Sequence, residues 1–245
     1  MRYIMLLCLF SLLPTLSVFA ETEPNNEPKI ISVESFNTEE SPKTDTKEVE
    51  KEEWVKEVIS EIDEPITNPY LIDQLNQTTI HQPFFSFGSR SEVFLGRWVL
   101  NYQSDDTETN WLYQNINENE LTNDRAHYVQ EETVEVSGGL QVKVDQSDQV
   151  QMMLLEDVRE RIDLPVNDRV RFGEGTEVEV ADLANENRQM LKAYAGAIKE
   201  TGHLQYGDVY LKTKGRQKSL VIKNIIEQDM VAWLPINQHI AIELN

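Results

Sequence analysis

The chain has 245 residues, one cysteine, and 43 acidic against 22 basic side chains, for a net charge of −21. So acidic a surface repels phosphate backbones and anionic lipid heads, which argues against nucleic acid as a partner. Cys8 falls among the first twenty residues, so a chain cleaved after them has no cysteine and must hold together by its core alone. A domain of about 180 residues can do so, because it buries roughly 70% of the surface its unfolded chain exposes.

Residues 1–20, MRYIMLLCLFSLLPTLSVFA, place Arg2 before an uncharged apolar run that ends Val18-Phe19-Ala20. That is the pattern of a secretory signal peptide. The rival reading is a retained anchor, since the run is just long enough to span a bilayer, but Pro14 and the cleavage-like end count against it. Later in the chain no segment is apolar enough to cross a membrane, so no transmembrane segment is expected after cleavage. Loss of Arg2 would move the net charge from −21 to −22. The expected setting is secreted or cell-envelope associated.

Residues 21–46 are acidic, carry scattered prolines and lack apolar periodicity, which predicts a disordered linker. Over 47–65 an amphipathic helix is expected, because Trp54, Val55, Val58, Ile59 and Ile62 recur at three- and four-residue spacing before Pro65. It would dock on the domain or bind a partner; a single short helix is marginal alone in water, which favours docking. Residues 66–245 read as a single α+β domain, an antiparallel sheet with one or two helices packed on it.

Within that domain, Asn68-Pro69 is a helix start, with asparagine at the cap and proline first inside. Residues 83–117 concentrate eight aromatics: Phe84, Phe85, Phe87, Phe94, Trp98, Tyr102, Trp111 and Tyr113. There the period becomes two, with Phe94, Gly96, Trp98, Leu100 and Tyr102 on one face and Val93, Leu95, Arg97 and Val99 on the other. Two apolar faces predict a central strand. Residues 103–109 read as a polar turn and 110–116 as the next strand. A hairpin is predicted over 133–145 about Ser137-Gly138-Gly139. Ser147 should cap a helix lined by Val150, Met153, Leu154 and Val158. Residues 168–180 read as two strands about a Gly173-Glu174-Gly175 turn. From 182 the expectation is a helical start, an extended 192–198, a hairpin-like Glu200-Thr201-Gly202 and a strand over 203–213. Lys214-Gly215 then turns into strands that complete the chain.

Taken together, RWVLNY (97–102), NWLYQNIN (110–117), YVQE (128–131), GGL (138–140), MMLL (152–155), YGDVYL (206–211) and AWLPI (232–236) resemble, in this order, the YfkD-like family of Bacillus-type bacteria. The resemblance spans about 66–245. It implies a bacterial extracytoplasmic setting and supplies no catalytic residue.

Nothing in the residues themselves points to catalysis. There is no G-x-S-x-G elbow and no S-x-x-K. His81, His127, His203 and His239 lack paired ligand spacing, so no zinc site and no cofactor are expected. Asp105, Asp106 and Glu108 crowd one segment and are the calcium candidates, yet they lack the ligand order of a calcium loop. Trp98, Asn101, Asn110 and Trp111 form the candidate ligand surface, since tryptophan beside asparagine stacks on sugars or peptides. The competing reading puts both tryptophans in the core. The function expected is a non-enzymatic binding or structural protein of the cell envelope, its partner a cell-wall polymer or another envelope protein. The alternative is a hydrolase acting on a wall polymer through two carboxylates.

Overall fold

Three strands far longer than the usual five or six residues organise the molecule: β3 (Arg90–Glu120), β9 (Met190–Lys214) and β10 (Gln217–Leu244). The computed structural model describes residues 28–33, 38–40, 50–78, 90–120, 126–180, 190–215 and 217–244. The other strands there are β1 (Lys29–Ser32), β2 (Thr38–Glu40), β4 (Ala126–Val129), β5 (Val134–Ser137), β6 (Gly139–Leu140), β7 (Arg169–Phe172) and β8 (Glu177–Val180). The helices are α1 (Glu53–Ser60), α2 (Pro69–Gln77) and α3 (Ser147–Arg161). The main sheet runs β1-β10-β9-β3, with β6 added beside β10, and β2-β7-β5 and β4-β8 form two small sheets.

The α+β expectation is therefore corrected. Strands take 61% and helices 18% of the described residues, and the main sheet curls into a half-barrel, so the fold is mainly β. The curl has a local cause. β3 uses 31 residues to run beside the 25 of β9, and the surplus is taken up in bulges such as those between Phe94 and Gly96 and between Val99 and Asn101. Bulges bend the strand that carries them and increase its twist.

Side chains of β9 alternate, and the core divides with them. Leu191, Ala193 and Ala195 face one cluster with Tyr128, Val136, Val170 and Phe172 of the small sheets. Val209 and Leu211, on the same side at the other end of β9, pack under α1 and α2. Ile198, Leu204 and Tyr206 point the opposite way, onto Val150, Met153, Leu154 and Val158 of α3. These four α3 residues are the ones the helical period selects.

Other expectations change where the bulges fall. Among the described residues β3 pairs with β9 alone, so it is an edge strand, not a central one. Its outer peptide groups are covered by side chains: Gln146 donates to Arg97 O and accepts from Val99 N, both at 3.2 Å, and Asn68 donates to Val99 O at 2.8 Å. Such capping answers the exposure that makes an edge strand prone to wrong pairing. Residues 103–109 form no turn but continue the strand. The two bulges also switch faces. Trp98 and Leu100 join the α1–α2 cluster, whereas Tyr102 packs with the α3 cluster.

At Gly202 the expected hairpin is absent. A Cβ there would lie 2.3 Å from Gln103 O, so the glycine permits β3 to approach rather than turning the chain. The 133–145 hairpin is likewise replaced by two unrelated pairings, β5 with β7 and β6 with β10. β7 and β8 flank Gly175 yet belong to different sheets. Gln146, not Ser147, is the residue before α3, in the left-handed region at φ 57°. The extended 192–198 lies inside β9, while most of the expected helical start lies outside the described residues.

Asn68 caps α2 as its sequence predicts, accepting from Tyr70 N at 2.9 Å and Leu71 N at 3.4 Å, with Pro69 first in the helix. α1 is shorter than 47–65 and buries Val55 and Val58 on the sheet. Within the stretch expected to be an unstructured linker, Lys29–Ser32 is the strand β1, paired with β10 from His239 to Ile242.

Candidate functional site

The tip of the β9–β10 hairpin is basic in a strongly acidic chain. Lys212, Lys214, Arg216 and Lys218 fall within seven residues, while the whole chain has only 22 lysines and arginines. The start of β3 runs beside it, so that Arg90 stands opposite Lys214, Ser91 opposite Thr213 and Glu92 opposite Lys212. Alternation puts Arg90, Glu92, Lys212 and Lys214 on one side of the sheet. Ser91, Thr213 and Lys218 lie on the other, towards α1.

Between this tip and α1 opens a cleft of about 780 Å³. Trp54, Glu57 and Val58, on one face of α1, form its helical wall together with Glu61, the residue just after the helix. Lys218 Nζ sits 3.7 Å from the centre of the Trp54 ring, a cation–π contact that ties the two walls together. Ser91 Oγ and Thr213 Oγ1 meet at 2.6 Å. Glu92 takes Lys223 at 2.6 Å and Lys212 at 3.5 Å. The Lys223 hydrogen bond holds the Glu92 carboxyl below its ordinary range and raises Lys223 in turn. Arg90 and Lys214 have no ion-pair partner among the described residues.

A second polar cluster lies midway along β9. Glu200 is fully buried and accepts from Ser104 and Thr107 hydroxyls at 2.6 Å each, from Arg161 at 2.5 Å and from Tyr102. Arg161 also binds Asp157 at 2.8 Å, which fastens the last turn of α3 to the sheet. Burial works against the Arg161 charge, but the Asp157 and Glu200 carboxylates outweigh it and raise Arg161. Burial first, then the bond to Glu200, pushes Tyr102 far above its ordinary value. The donors around Glu200 use its acceptor capacity, and the cluster is closed.

The residues singled out by sequence are dispersed. Trp98 packs in the α1–α2 cluster with its indole N–H on Leu95 O at 3.1 Å. Asn101 is buried and bonds Pro65 O at 3.0 Å and Gln205 at 2.8 Å. Asn110 accepts from Leu112 N at 3.0 Å. Trp111 lies in the α3 cluster against the backbone of Gly196, where a Cβ would come within 2.7 Å of its ring. The two tryptophans thus serve different clusters. Among the calcium candidates, Asp105 meets His203 at 3.0 Å, Glu108 meets Lys199 at 3.3 Å and Asp106 bonds Thr107 N at 2.9 Å. Among the described residues no three His, Cys, Asp or Glu side chains come together as a metal would require. The basic run 212–218 was the one signal of the cleft in the sequence, and its glycine let it pass as an ordinary turn.

The YfkD-like family model matches residues 27–245, and the chain belongs to that family. The match begins well before residue 66, in keeping with β1 lying in the main sheet. The chain is 31% identical over 244 residues, 97% of its length and 92% of the relative's, to the YfkD protein of Bacillus subtilis (strain 168). No solved structure matches. Neither description assigns an activity, so function is argued from geometry.

Proposed function

We propose that the chain is an exported, non-enzymatic binding protein of the bacterial cell envelope, holding its ligand in the cleft between α1 and the β9–β10 tip. The observation that carries this reading is the cleft itself, about 780 Å³ in volume and walled by Trp54 and three polar strand ends. Ligand sites are concavities of this size, with an aromatic surface and a few placed polar groups. Export rests on the signal-peptide pattern of residues 1–20, and the partner is a cell-wall polymer or another envelope protein. A hydrolase would need a carboxyl kept protonated near neutral pH. Glu92 is pushed the other way by Lys223, which favours binding over hydrolysis.

Two measurements test this. Mass spectrometry of the protein from the envelope and medium of an expressing bacterium should find a chain beginning at Glu21. A full-length chain confined to the cytoplasm overturns the export. The purified mature protein should be retained on envelope fractions, and Ser91→Trp, which fills the cleft from an exposed position, should abolish retention. Retention unchanged by that substitution overturns the cleft as the site.

A further inference from the structure

We propose that the side of the main sheet away from α1 docks on an anionic lipid surface, with Phe94 entering the interface and the basic strand ends meeting the headgroups. Val99 and Tyr206 pack with α3 on that side. Further along, the register carries Arg97, Asp208 and Lys223, then Phe94, Tyr210 and Val221. Glu92 and Lys212 follow, and Arg90 and Lys214 come last, all on the same side. Five of these residues are cations and two are carboxylates, in a chain where acidic side chains outnumber basic ones 43 to 22. Rows on one face of a sheet stand roughly 6.8 Å apart, so these four rows reach over about 20 Å.

The apolar residues decide the class of partner. Phe94 is 55% exposed and stacks on Tyr210 with ring centres 5.0 Å apart. Lys223 Nζ lies 4.1 Å from the centre of the Tyr210 ring. Ile226, opposite Tyr206 on the same side, is 48% exposed. A soluble phosphate polymer gains little from a bare phenyl ring. A bilayer interface takes the ring among its acyl chains and leaves lysine and arginine heads among the phosphates. Glu92 sits 3.5 Å from Lys212 and 2.6 Å from Lys223, and Asp208 sits 3.6 Å from Arg97, so the two carboxylates order the cations without cancelling all of them. The net charge of the whole chain does not forbid the approach. At physiological salt, exposed charges beyond about 8 Å are largely screened, and the side turned to the membrane governs. This face lies across the sheet from the α1 cleft, and its docking does not depend on what the cleft holds.

The test is co-sedimentation of the mature protein with lipid vesicles. Vesicles of phosphatidylglycerol and phosphatidylcholine in equal parts should carry the protein down, phosphatidylcholine alone should not, and added salt should release it. Each cation near an anionic bilayer contributes about fivefold in affinity, so Arg90→Ala with Lys214→Ala should weaken binding by about twentyfold. Phe94→Ser should weaken it by about tenfold, and Phe94→Trp should keep it. All three positions are exposed, so melting temperatures should change no more than at ordinary surface positions. Lys56→Ala, on α1 across the sheet, should leave binding within about twofold. No sedimentation with the anionic vesicles, equal binding to phosphatidylcholine alone, or indifference to either the double substitution or Phe94→Ser overturns the proposal. Soluble polyphosphate serves as a separate arm. If it binds as tightly as the vesicles do, and Phe94→Ser changes neither, the face takes a soluble polyanion and the membrane assignment falls.

Discussion

Two polar clusters on the same strand, Glu200 midway along β9 and the Ser91–Thr213 pair with Lys218 at its end, use similar residue types to opposite effect. Around Glu200 a buried carboxylate is met by hydroxyls and a guanidinium, and nothing further can enter. At the tip, the Ser91 and Thr213 hydroxyls and the Lys218 ammonium line an open cleft beside α1. Polar residues in a sheet are thus no guide to a binding site by themselves. Enclosure with every partner supplied makes a fastening, and donors left open to a cleft make a surface that can bind.

The sharpest way to break this comparison is Glu200→Ala. It strands Arg161 and three hydroxyls beside a buried gap, and removing one partner of a buried pair costs about 3–5 kcal/mol. Chemical denaturation should show a loss of that order, with α3 the first element to lose amide protection. A loss within about 0.5 kcal/mol, the range of ordinary surface positions, would mean that the closed cluster holds nothing together.

Alkaline pH probes the closed side without mutation. Burial pushes Tyr206 up to about 12, and Tyr102 is raised further by burial and by Glu200. An unfolded tyrosine ionises near 10, so above that pH the unfolded chain releases protons that the folded chain retains. The stability these phenols contribute is complete below pH 10 and is lost as pH climbs through 12, a decline of about 1–2 kcal/mol in that interval. Phenolate absorbance should report Tyr102 and Tyr206 as late-titrating groups that ionise with unfolding. Free titration of every tyrosine near pH 10 would contradict their enclosure.

The smallest effect belongs to the open side. Lys218→Ala removes the contact with Trp54 and should cost about 0.5–1 kcal/mol, the value of an exposed cation–π pair. Thermal denaturation can resolve it. A loss as large as that for Glu200→Ala would show that the tip is built for stability rather than for a ligand.

What the sequence makes legible follows from the range of the interaction. Asn68-Pro69 and the Val150, Met153, Leu154, Val158 stripe are local patterns, and both elements form where the residues place them. The Lys214-Gly215 turn is local as well. Bulges are not, because the extra residues of β3 make sense only beside β9. The two-residue period therefore assigns Trp98 and Tyr102 to one face when they occupy two. Gly202 misleads for the same reason, its small size answering to Gln103 on a distant strand. The cleft escapes notice because Ser91 and Thr213 become neighbours only through the sheet.

The pairing register also sets the order in which this chain can fold. Arg90 waits for Lys214, and Glu120 for Met190, whereas Lys214 needs only Gln217. Contacts between residues so far apart in sequence close slowly, since loop entropy is lost before they reward it. Among the described residues the β9–β10 hairpin is the one long pairing that is local, and it is made by the end of the chain. As the chain is synthesised, β3, β1 and β6 emerge before the strands they must pair with. A ribosome stalled before Met190 therefore leaves three strand edges searching for a template not yet made, and that nascent form is the one most in need of a chaperone.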